Sequence, residues 1–241
     1  MARKKAVIFE GGPLSIVGGW GREADTARER GGTQRVFLLS PANAAGLRAQ
    51  SLLSTNCQTE LALGLRGEGI RLGALFSFMS SLYFRGKLTY AQRFAVPPES
   101  CPGVLVITPS RGLLPPETVI RMQDLEEMAT GRVDLEDQRY RGPLERDARR
   151  LLENLGQGAQ AVLLGSIATP KYVEPLLRIF ARRLVFPAEF AGRGEMSRGG
   201  LLLRCVREAM ELEYRPVADS GVRPAQAREG KSAGAPRKGR G

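Results

Sequence analysis

The residues best placed to do chemistry in this chain follow four short apolar runs, each of which predicts a buried strand. Serine and asparagine side chains can hydrogen-bond a ligand there, and arginine presents a planar fork that suits phosphate or carboxylate. Ligands of open α/β sheets bind at the carboxyl ends of the strands, so these residues together predict one anion- or nucleotide-binding cleft. The candidate ligand-binding residues are Ser40, Asn43, Ser110, Arg111, Ser166, Arg193, Ser197 and Arg198.

The segment 192–200 is the most distinctive of these strand ends. It places four glycines, two arginines and a serine directly before a predicted helix. Glycine lets backbone N–H groups approach a ligand closely, and a helix N-terminus favours anions. The segment matches neither the dinucleotide fingerprint nor the P-loop. The alternative interpretation is a mobile loop whose arginines are solvated.

The chain has no histidine, and this absence excludes a Ser-His-Asp triad, a Cys-His dyad and a histidine-ligated metal. General acid–base chemistry must therefore use aspartate, glutamate, lysine or tyrosine. Glu195, as a base, and Lys171 are the candidate catalytic residues, while Glu189 and Tyr172 lie near them in the sequence as alternatives. No metal and no cofactor is predicted.

Four strands alternate with helices in the predicted order of elements. The strands are predicted over 36–39, 104–107, 161–164 and 184–186. The helices are predicted near 44–53, 60–65, 72–83, 88–94, 122–128, 144–155, 172–180 and 200–214. Continuous apolar strands are typical of parallel sheets covered on both faces. The expected fold is therefore α/β, with a three-layer open, mainly parallel sheet and helices on both faces.

The charge distribution predicts one domain between two poorly structured ends. The 241 residues carry a net charge of +11, of which the run 3–5 contributes +3 and the segment 215–241 contributes +5. We expect a leader over 1–34, a single α/β domain over 35–214 and a disordered basic tail over 215–241. Such a tail can touch nucleic acid or simply increase solubility.

The apolar runs are too short for a membrane helix or a signal peptide, which predicts a cytoplasmic protein with no membrane partner. The three cysteines show no CxxC spacing and are odd in number, which argues against a disulfide framework. The oligomeric state is not predicted.

A second basic cluster combines Arg85 and Lys87 with the aromatic residues Tyr83, Phe84 and Tyr90. Such a group can stack a nucleobase and hold its phosphate backbone. The alternative is a helix end whose cations extend to solvent over core aromatics, which is the more frequent arrangement.

Acidic residues are interpreted as surface groups. Asp134, Glu136 and Asp137 lie close together in a polar loop, where a solvated loop is favoured over a divalent metal site. Glu145 and Asp147 fall on a helix rich in arginine, and ordinary pairing at i,i+4 explains them.

The order of motifs resembles a group of uncharacterised bacterial α/β domains over about 36–200. The resemblance lies in Ser40 at a strand end, in Leu82 and Tyr83, and in the run 107–116 with its Gly-Leu-Leu-Pro. These domains in turn resemble the uracil-DNA-glycosylase-like domains of RNA-modification proteins. The group often has histidine directly before Gly-Leu-Leu, whereas this chain has Arg111, so a histidine-dependent role is absent or is taken over by a cation.

The resemblance implies a nucleobase, nucleotide or nucleic-acid ligand at the edge that carries Ser40, Ser110 and Ser166. The leading hypothesis is a protein that binds a phosphorylated or nucleobase-containing ligand there and modifies a nucleotide or nucleic acid. The alternatives are a noncatalytic nucleic-acid-binding module that uses the basic termini, and a scaffolding protein whose apolar helix 72–83 meets a partner.

Overall fold

The computed structural model describes residues 33–168 and 170–221. Most of the predicted leader over 1–34 and most of the predicted tail over 215–241 therefore lie outside the described residues. The strands are β1 (Arg35–Leu39), β2 (Ile70–Arg71), β3 (Val104–Ile107), β4 (Leu113–Leu114), β5 (Val119–Ile120), β6 (Gln160–Leu164), β7 (Leu184–Pro187) and β8 (Tyr214–Pro216). The helices are α1 (Leu47–Leu53), α2 (Glu60–Arg66), α3 (Leu72–Phe94), α4 (Met122–Thr130), α5 (Gln138–Asn154), α6 (Pro170–Phe180) and α7 (Glu195–Arg207).

Six strands form one sheet in the order β4-β3-β1-β6-β7-β8. The four central strands pair in parallel, and β4 and β8 add antiparallel edges. β2 and β5 form a separate antiparallel pair. The four predicted strands are confirmed to within a residue at each end, and they are the parallel centre of the sheet.

Helices cover both faces of the sheet, which confirms the three-layer α/β prediction. Along β1 the residues alternate, so that Phe37 and Leu39 pack on one face while Val36 and Leu38 pack on the other. The first face is covered by α3 and α7 together with α1, α2 and α4, and the second face by α5 and α6. These four residues of β1 are fully buried because a layer of helices packs on each face of the strand.

The strand order creates a crevice between β1 and β6. The chain leaves β1 toward helices on the first face and leaves β6 toward α6 on the second face. At such a switch point the connections diverge, and in open α/β sheets ligands bind at this position, outside the carboxyl ends of the strands. We call the region outside the carboxyl ends of these two strands the β1–β6 crevice. Ser40 follows β1, and Gly165 and Ser166 follow β6.

Helix α7 differs from the prediction over 200–214. It begins at Glu195 and ends at Arg207, so the residues from Glu195 to Gly200 form its first turns instead of a loop. The glycine-rich segment is therefore partly a packing surface. Tyr214, the predicted helix end, lies in β8 instead.

The ordered domain also continues past the predicted boundary at 214. Arg215 and Pro216 pair with β7 as part of β8, and Val217 is fully buried. The sequence predicts an earlier boundary because the composition of 215–241 is dominated by the residues after 221. Val217 is a single buried residue, and one apolar position produces no helical or strand periodicity.

Asp147 is a core residue and not a member of a surface ion pair at i,i+4, which corrects the sequence interpretation. Its side chain is 3% exposed, and one carboxylate oxygen accepts the backbone N–H of Leu113 at 3.0 Å. The other oxygen accepts Nε of the neighbouring Arg146. Asp147 thereby fixes β4 against α5.

Replacing Asp147 with alanine is expected to lower the free energy of unfolding by about 2 kcal/mol, because the Leu113 N–H stays buried without an acceptor. Urea denaturation of the two proteins measures the difference. Asp134→Ala, in an exposed loop, is the control, and its change is expected to stay within about 0.5 kcal/mol. Equal losses in both variants would contradict the proposed role of Asp147.

Candidate functional site

The floor of the β1–β6 crevice is formed by Ser40 and Gly165, which lie in close contact. A Cβ atom added at Gly165 would come within 2.9 Å of the Cβ of Ser40 and 3.3 Å of the Tyr172 ring. Gly165 therefore has to be glycine for the strand ends to approach this closely. Ser40 itself is 6% exposed, and its N–H is bonded to the Leu164 carbonyl.

Lys87 reaches Ser40 from α3 and makes two hydrogen bonds to it. Its Nζ donates to the Ser40 carbonyl at 2.7 Å and to Ser40 Oγ at 2.8 Å. The amine also lies 4.6 Å from the ring centre of Tyr83 and 5.0 Å from that of Phe84. The side chain is 1% exposed, so Lys87 is part of the crevice floor.

The electrostatic setting of Lys87 disfavours its charged form. Burial lowers the pKa of Lys87 from 10.5 to about 7, and the negative charge of Glu195 opposes that shift. Within the described part of the chain no carboxylate forms an ion pair with the amine. At neutral pH a substantial share of Lys87 is therefore a free amine, which can accept a proton.

Tyr83 lies one helical turn before Lys87 on the same helix. Its side chain is 4% exposed, and no described residue accepts a hydrogen bond from its hydroxyl. Burial raises the pKa of Tyr83 to about 12, and the nearby positive charge of Arg198 opposes the rise. The hydroxyl stays protonated at neutral pH and can donate a hydrogen bond.

Tyr172 and Ser166 form the α6 side of the crevice. The Tyr172 hydroxyl accepts the backbone N–H of Ser166 at 3.1 Å, and Ser166 Oγ accepts the N–H of Ala168 at 3.3 Å. Ser166 is half-buried and Lys171 is exposed in the first turn of α6. Ser166 thus lies on the loop that follows β6, and Lys171 lies at the start of the helix that this loop leads into.

The N-terminal turn of α7 brings Glu195 and Arg198 to the crevice. Arg198 donates from Nε and Nη2 to the Phe190 carbonyl at 3.2 and 2.9 Å. Glu195 is exposed, and its charge acts on both Lys87 and Tyr83. The N-cap is Gly194, so no side chain occupies the N-terminal N–H groups of this helix.

Two glycines set the distance between α3 and α7. A Cβ at Gly86 would come within 2.8 Å of the Gly199 carbonyl oxygen, and one at Gly199 would come within 3.0 Å of the Tyr83 Cα. The two backbones are therefore almost in contact, at positions directly adjacent in sequence to Lys87 and Arg198. The absence of a side chain at Gly199 is therefore required by the crossing of the two helices, and not by the approach of a ligand.

Other predicted residues are outside this cluster or are engaged in local bonds. Arg193 and Ser197 are exposed and lie 3.3 Å apart from Nη1 to Oγ at the rim of the α7 N-terminus. Asn43 Oδ1 accepts the N–H of Ala45 at 3.1 Å and so stabilises its own turn. Asn43 does not cap α1, whose N-cap is Gly46.

Ser110 and Arg111 follow β3 and face α4. Arg111 forms ion pairs with Asp124, at 2.7 Å, and with Glu127. Ser110 and Glu127 line a separate pocket of about 310 Å³ together with Arg139. The structure therefore places these two candidates in a second location, and Arg111 already has two carboxylate partners there.

The crevice residues that sequence reasoning missed are Lys87 and Tyr83. The sequence places them either in a basic cluster that stacks a nucleobase or at a helix end whose cations extend to solvent over core aromatics. Tyr83 is buried like a core aromatic, but Lys87 is buried as well, and only Arg85 of the two cations is exposed. The available signal was their spacing of four, which places both side chains on the same face of the helix. In the segment 72–83 of the scaffolding hypothesis, Leu72, Leu75 and Phe76 are fully buried in the chain's own core, whereas Phe78 is 37% exposed.

No helix within 33–168 or 170–221 combines the length and apolar character needed to cross a bilayer. The same residues bring no group of three or more cysteine, aspartate or glutamate side chains into a metal-binding arrangement. Comparison with known proteins found no matching family model, no matching curated protein and no matching solved structure.

Proposed function

We propose that this protein binds a phosphorylated or nucleobase-containing small molecule in the crevice between the carboxyl ends of β1 and β6. The observation that carries the proposal is the convergence of Ser40, Ser166, Lys87 and the α7 N-terminus at the switch point of the sheet. These groups come from four separate elements. In this architecture the switch point is where ligands bind.

The charges around the crevice favour an anionic ligand. Arg193 and Arg198 lie in or before the first turn of α7, whose N–H groups and dipole also favour negative charge. Lys87 adds a third cation at the floor whenever it is protonated. In the proposed complex the arginines contact the phosphate, and Ser166 hydrogen-bonds the remainder of the ligand.

The polar floor suits a ligand with hydrogen-bonding edges such as a nucleobase. The buried Tyr83 hydroxyl donates no hydrogen bond to the described residues. A buried donor without an acceptor costs free energy, and a ligand that accepts this hydrogen bond would offset the cost. A nucleobase ligand is also what the resemblance of 36–200 to uncharacterised bacterial α/β domains implies, since those domains in turn resemble uracil-DNA-glycosylase-like domains. Glu195 is the candidate base for a reaction on the bound molecule, and Lys171 lies farther out on α6.

Thermal denaturation with inorganic phosphate, uracil, UMP and ATP tests the proposal. At least one of these ligands is expected to raise the Tm of the wild type. In Arg193→Ala/Arg198→Ala the affinity for that ligand is expected to fall at least about tenfold, because two charge-assisted contacts are removed.

The matched control is Arg204→Ala/Arg207→Ala, which removes two exposed arginines from the other end of α7. This variant has the same net charge as the test variant and is expected to keep wild-type affinity. The proposal is wrong if no ligand of the panel binds the wild type, or if both double variants bind equally.

A further inference from the structure

We propose that Ser40 and Lys87 are a nucleophile and its base, and that the crevice transfers or hydrolyses the acyl group of a carboxylic ester. The inference rests on the proposed function in one respect, since it takes the β1–β6 crevice as the place where the substrate binds. It adds the substrate class, which is an ester whose other part is the phosphorylated or nucleobase-containing group.

The geometry between the two residues fits both protonation states of the amine. A charged Lys87 donates to the Ser40 carbonyl and to Ser40 Oγ, at 2.7 and 2.8 Å. A neutral Lys87 still donates one N–H to the carbonyl, while its lone pair accepts the proton of the Ser40 hydroxyl. A hydroxyl hydrogen-bonded to a neutral amine in this way is the arrangement required for nucleophilic attack.

The surroundings of Lys87 favour the neutral amine needed for this role. The faces of Tyr83 and Phe84 pack on it from α3, Ser40 contacts it from β1, and Glu195 and Arg198 approach from α7. None of these groups is an ion-pair partner within the described residues. A buried cation without a counter-ion costs free energy. A purely structural role, in which Lys87 only hydrogen-bonds the end of β1, would therefore destabilise the fold whenever the amine is charged.

The absence of histidine gives this pair a particular importance. Serine-based acyl transfer usually depends on an imidazole base, and this chain has none. A lysine whose pKa is lowered by burial replaces the imidazole in Ser-Lys variants of the same chemistry. The structure describes two lysines, Lys87 and Lys171. Of these two, Lys87 is the one that contacts a serine hydroxyl.

The proposed reaction balances without a further reagent. Ser40 Oγ attacks the ester carbonyl carbon while its proton moves to the Lys87 amine. The C–O bond to the leaving alcohol then breaks, and Lys87 returns the proton to that oxygen, which leaves an acyl group on Ser40. Water attacks the acyl group, again giving a proton to Lys87, and the carboxylic acid leaves as Ser40 Oγ regains its proton. The Tyr83 hydroxyl is a buried donor available to the oxyanion that forms in each half.

Labelling with a fluorophosphonate probe tests the pair in the full-length protein. Such a probe forms a phosphorus–oxygen bond to an activated serine and releases fluoride. We expect the label on the peptide that contains Ser40, located by mass spectrometry. The labelling rate is expected to rise with pH around a midpoint near 7, because the neutral form of Lys87 is the base.

Substitutions then separate the chemical role of Lys87 from a structural one. Ser40→Ala and Lys87→Met are each expected to lower the labelling rate at least about 100-fold. Lys87→Arg keeps a cation but offers no base at neutral pH, so it is expected to be equally slow. Ser51→Ala, on the exposed side of α1, is the matched serine control and is expected to label at the wild-type rate.

The proposal is overturned if the wild type is not labelled at Ser40, or if Lys87→Arg labels as fast as the wild type. The wild-type labelling site and its pH profile decide the matter even if a variant fails to fold. If a ligand binds but Ser40 is not labelled, only the proposal that Ser40 and Lys87 act as nucleophile and base is wrong. If Ser40 is labelled but phosphate, uracil, UMP and ATP do not bind, only the proposed ligand-binding function is wrong.

Discussion

Replacing Lys87 with methionine is expected to change how the stability of this protein depends on pH. The pKa of Lys87 is about 7 in the folded protein and 10.5 under ordinary solvation. Between these two pH values the unfolded chain therefore binds one proton more than the folded chain. Stability rises with pH wherever the unfolded state binds more protons, so this lysine makes the wild type more stable as the pH increases from about 7 to 10.5.

The methionine variant has no group that titrates at this position. The free energy of unfolding of the wild type minus that of Lys87→Met should therefore increase by about 1.4 kcal/mol for each pH unit in this window. The total change is on the order of 5 kcal/mol. Below pH 7 the amine is protonated in both states, and the difference should stay constant.

Urea denaturation of both proteins at a series of pH values from about 6 to 10 measures this difference. Lys171→Met, which removes an exposed lysine from α6, is the control for the loss of one positive charge. A difference between wild type and Lys87→Met that does not change over the window would show that the amine is solvated or charged in the folded protein. The same result would remove the physical basis for Lys87 as a base.

The second large effect is expected at the crossing of α3 and α7. Gly199→Val places a branched side chain where even a single Cβ would lie 3.0 Å from the Tyr83 Cα and 3.1 Å from the Leu82 carbonyl oxygen. These neighbours are backbone atoms that cannot rotate away. The helices must separate, and we expect the free energy of unfolding to fall by about 2–3 kcal/mol, as is usual for overpacked cores.

Gly200→Val is the matched control, since it makes the same change at the adjacent position of the same helix. No atom lies within 4 Å of a Cβ at Gly200, and valine has a somewhat higher helix propensity than glycine. We expect this variant to be as stable as the wild type or slightly more stable. Equal destabilisation by the two substitutions would mean that the close approach of the helices at Gly199 does not set the cost.

The helix crossing also links stability to the candidate site. Tyr83 and Lys87 lie on one helix of the pair, and Glu195 and Arg198 lie on the other. Separation of the helices moves the charges of α7 away from the amine. Gly199→Val is therefore expected to weaken ligand binding in the crevice even at temperatures where the variant is fully folded.

Much of the fold could be predicted from the sequence because its signals are local. The run 104–107 is β-branched and wholly apolar, and it forms β3 with the predicted bounds. β4 and β8 were missed because strands of two and three residues carry no pattern of their own. They exist because β3 and β7 offer unpaired edges, which is a property of the assembled sheet.

The candidate site was predicted only in part. Ser40 and Ser166 were found because residues at the carboxyl ends of parallel strands must lie at one edge, whatever the details of packing. Arg111 also follows a strand, but Asp124 and Glu127 on α4 pair with it. No sequence pattern indicates which of several arginines a neighbouring helix will neutralise.

The sequence by itself determined the α/β class, the four central strands and the exclusion of imidazole chemistry, since each depends on residue types and on contacts between near neighbours. The tertiary structure alone decided that Lys87, 47 residues from Ser40, is a buried partner of that serine and not part of a basic surface. The burial of Lys87 depends on how closely α3 and α7 approach, and that distance is set by Gly86 and Gly199 on two helices far apart in the chain. Most of the net charge of +11 lies in the two ends of the chain. The proposed chemistry depends instead on one lysine, Lys87, which the fold buries away from water.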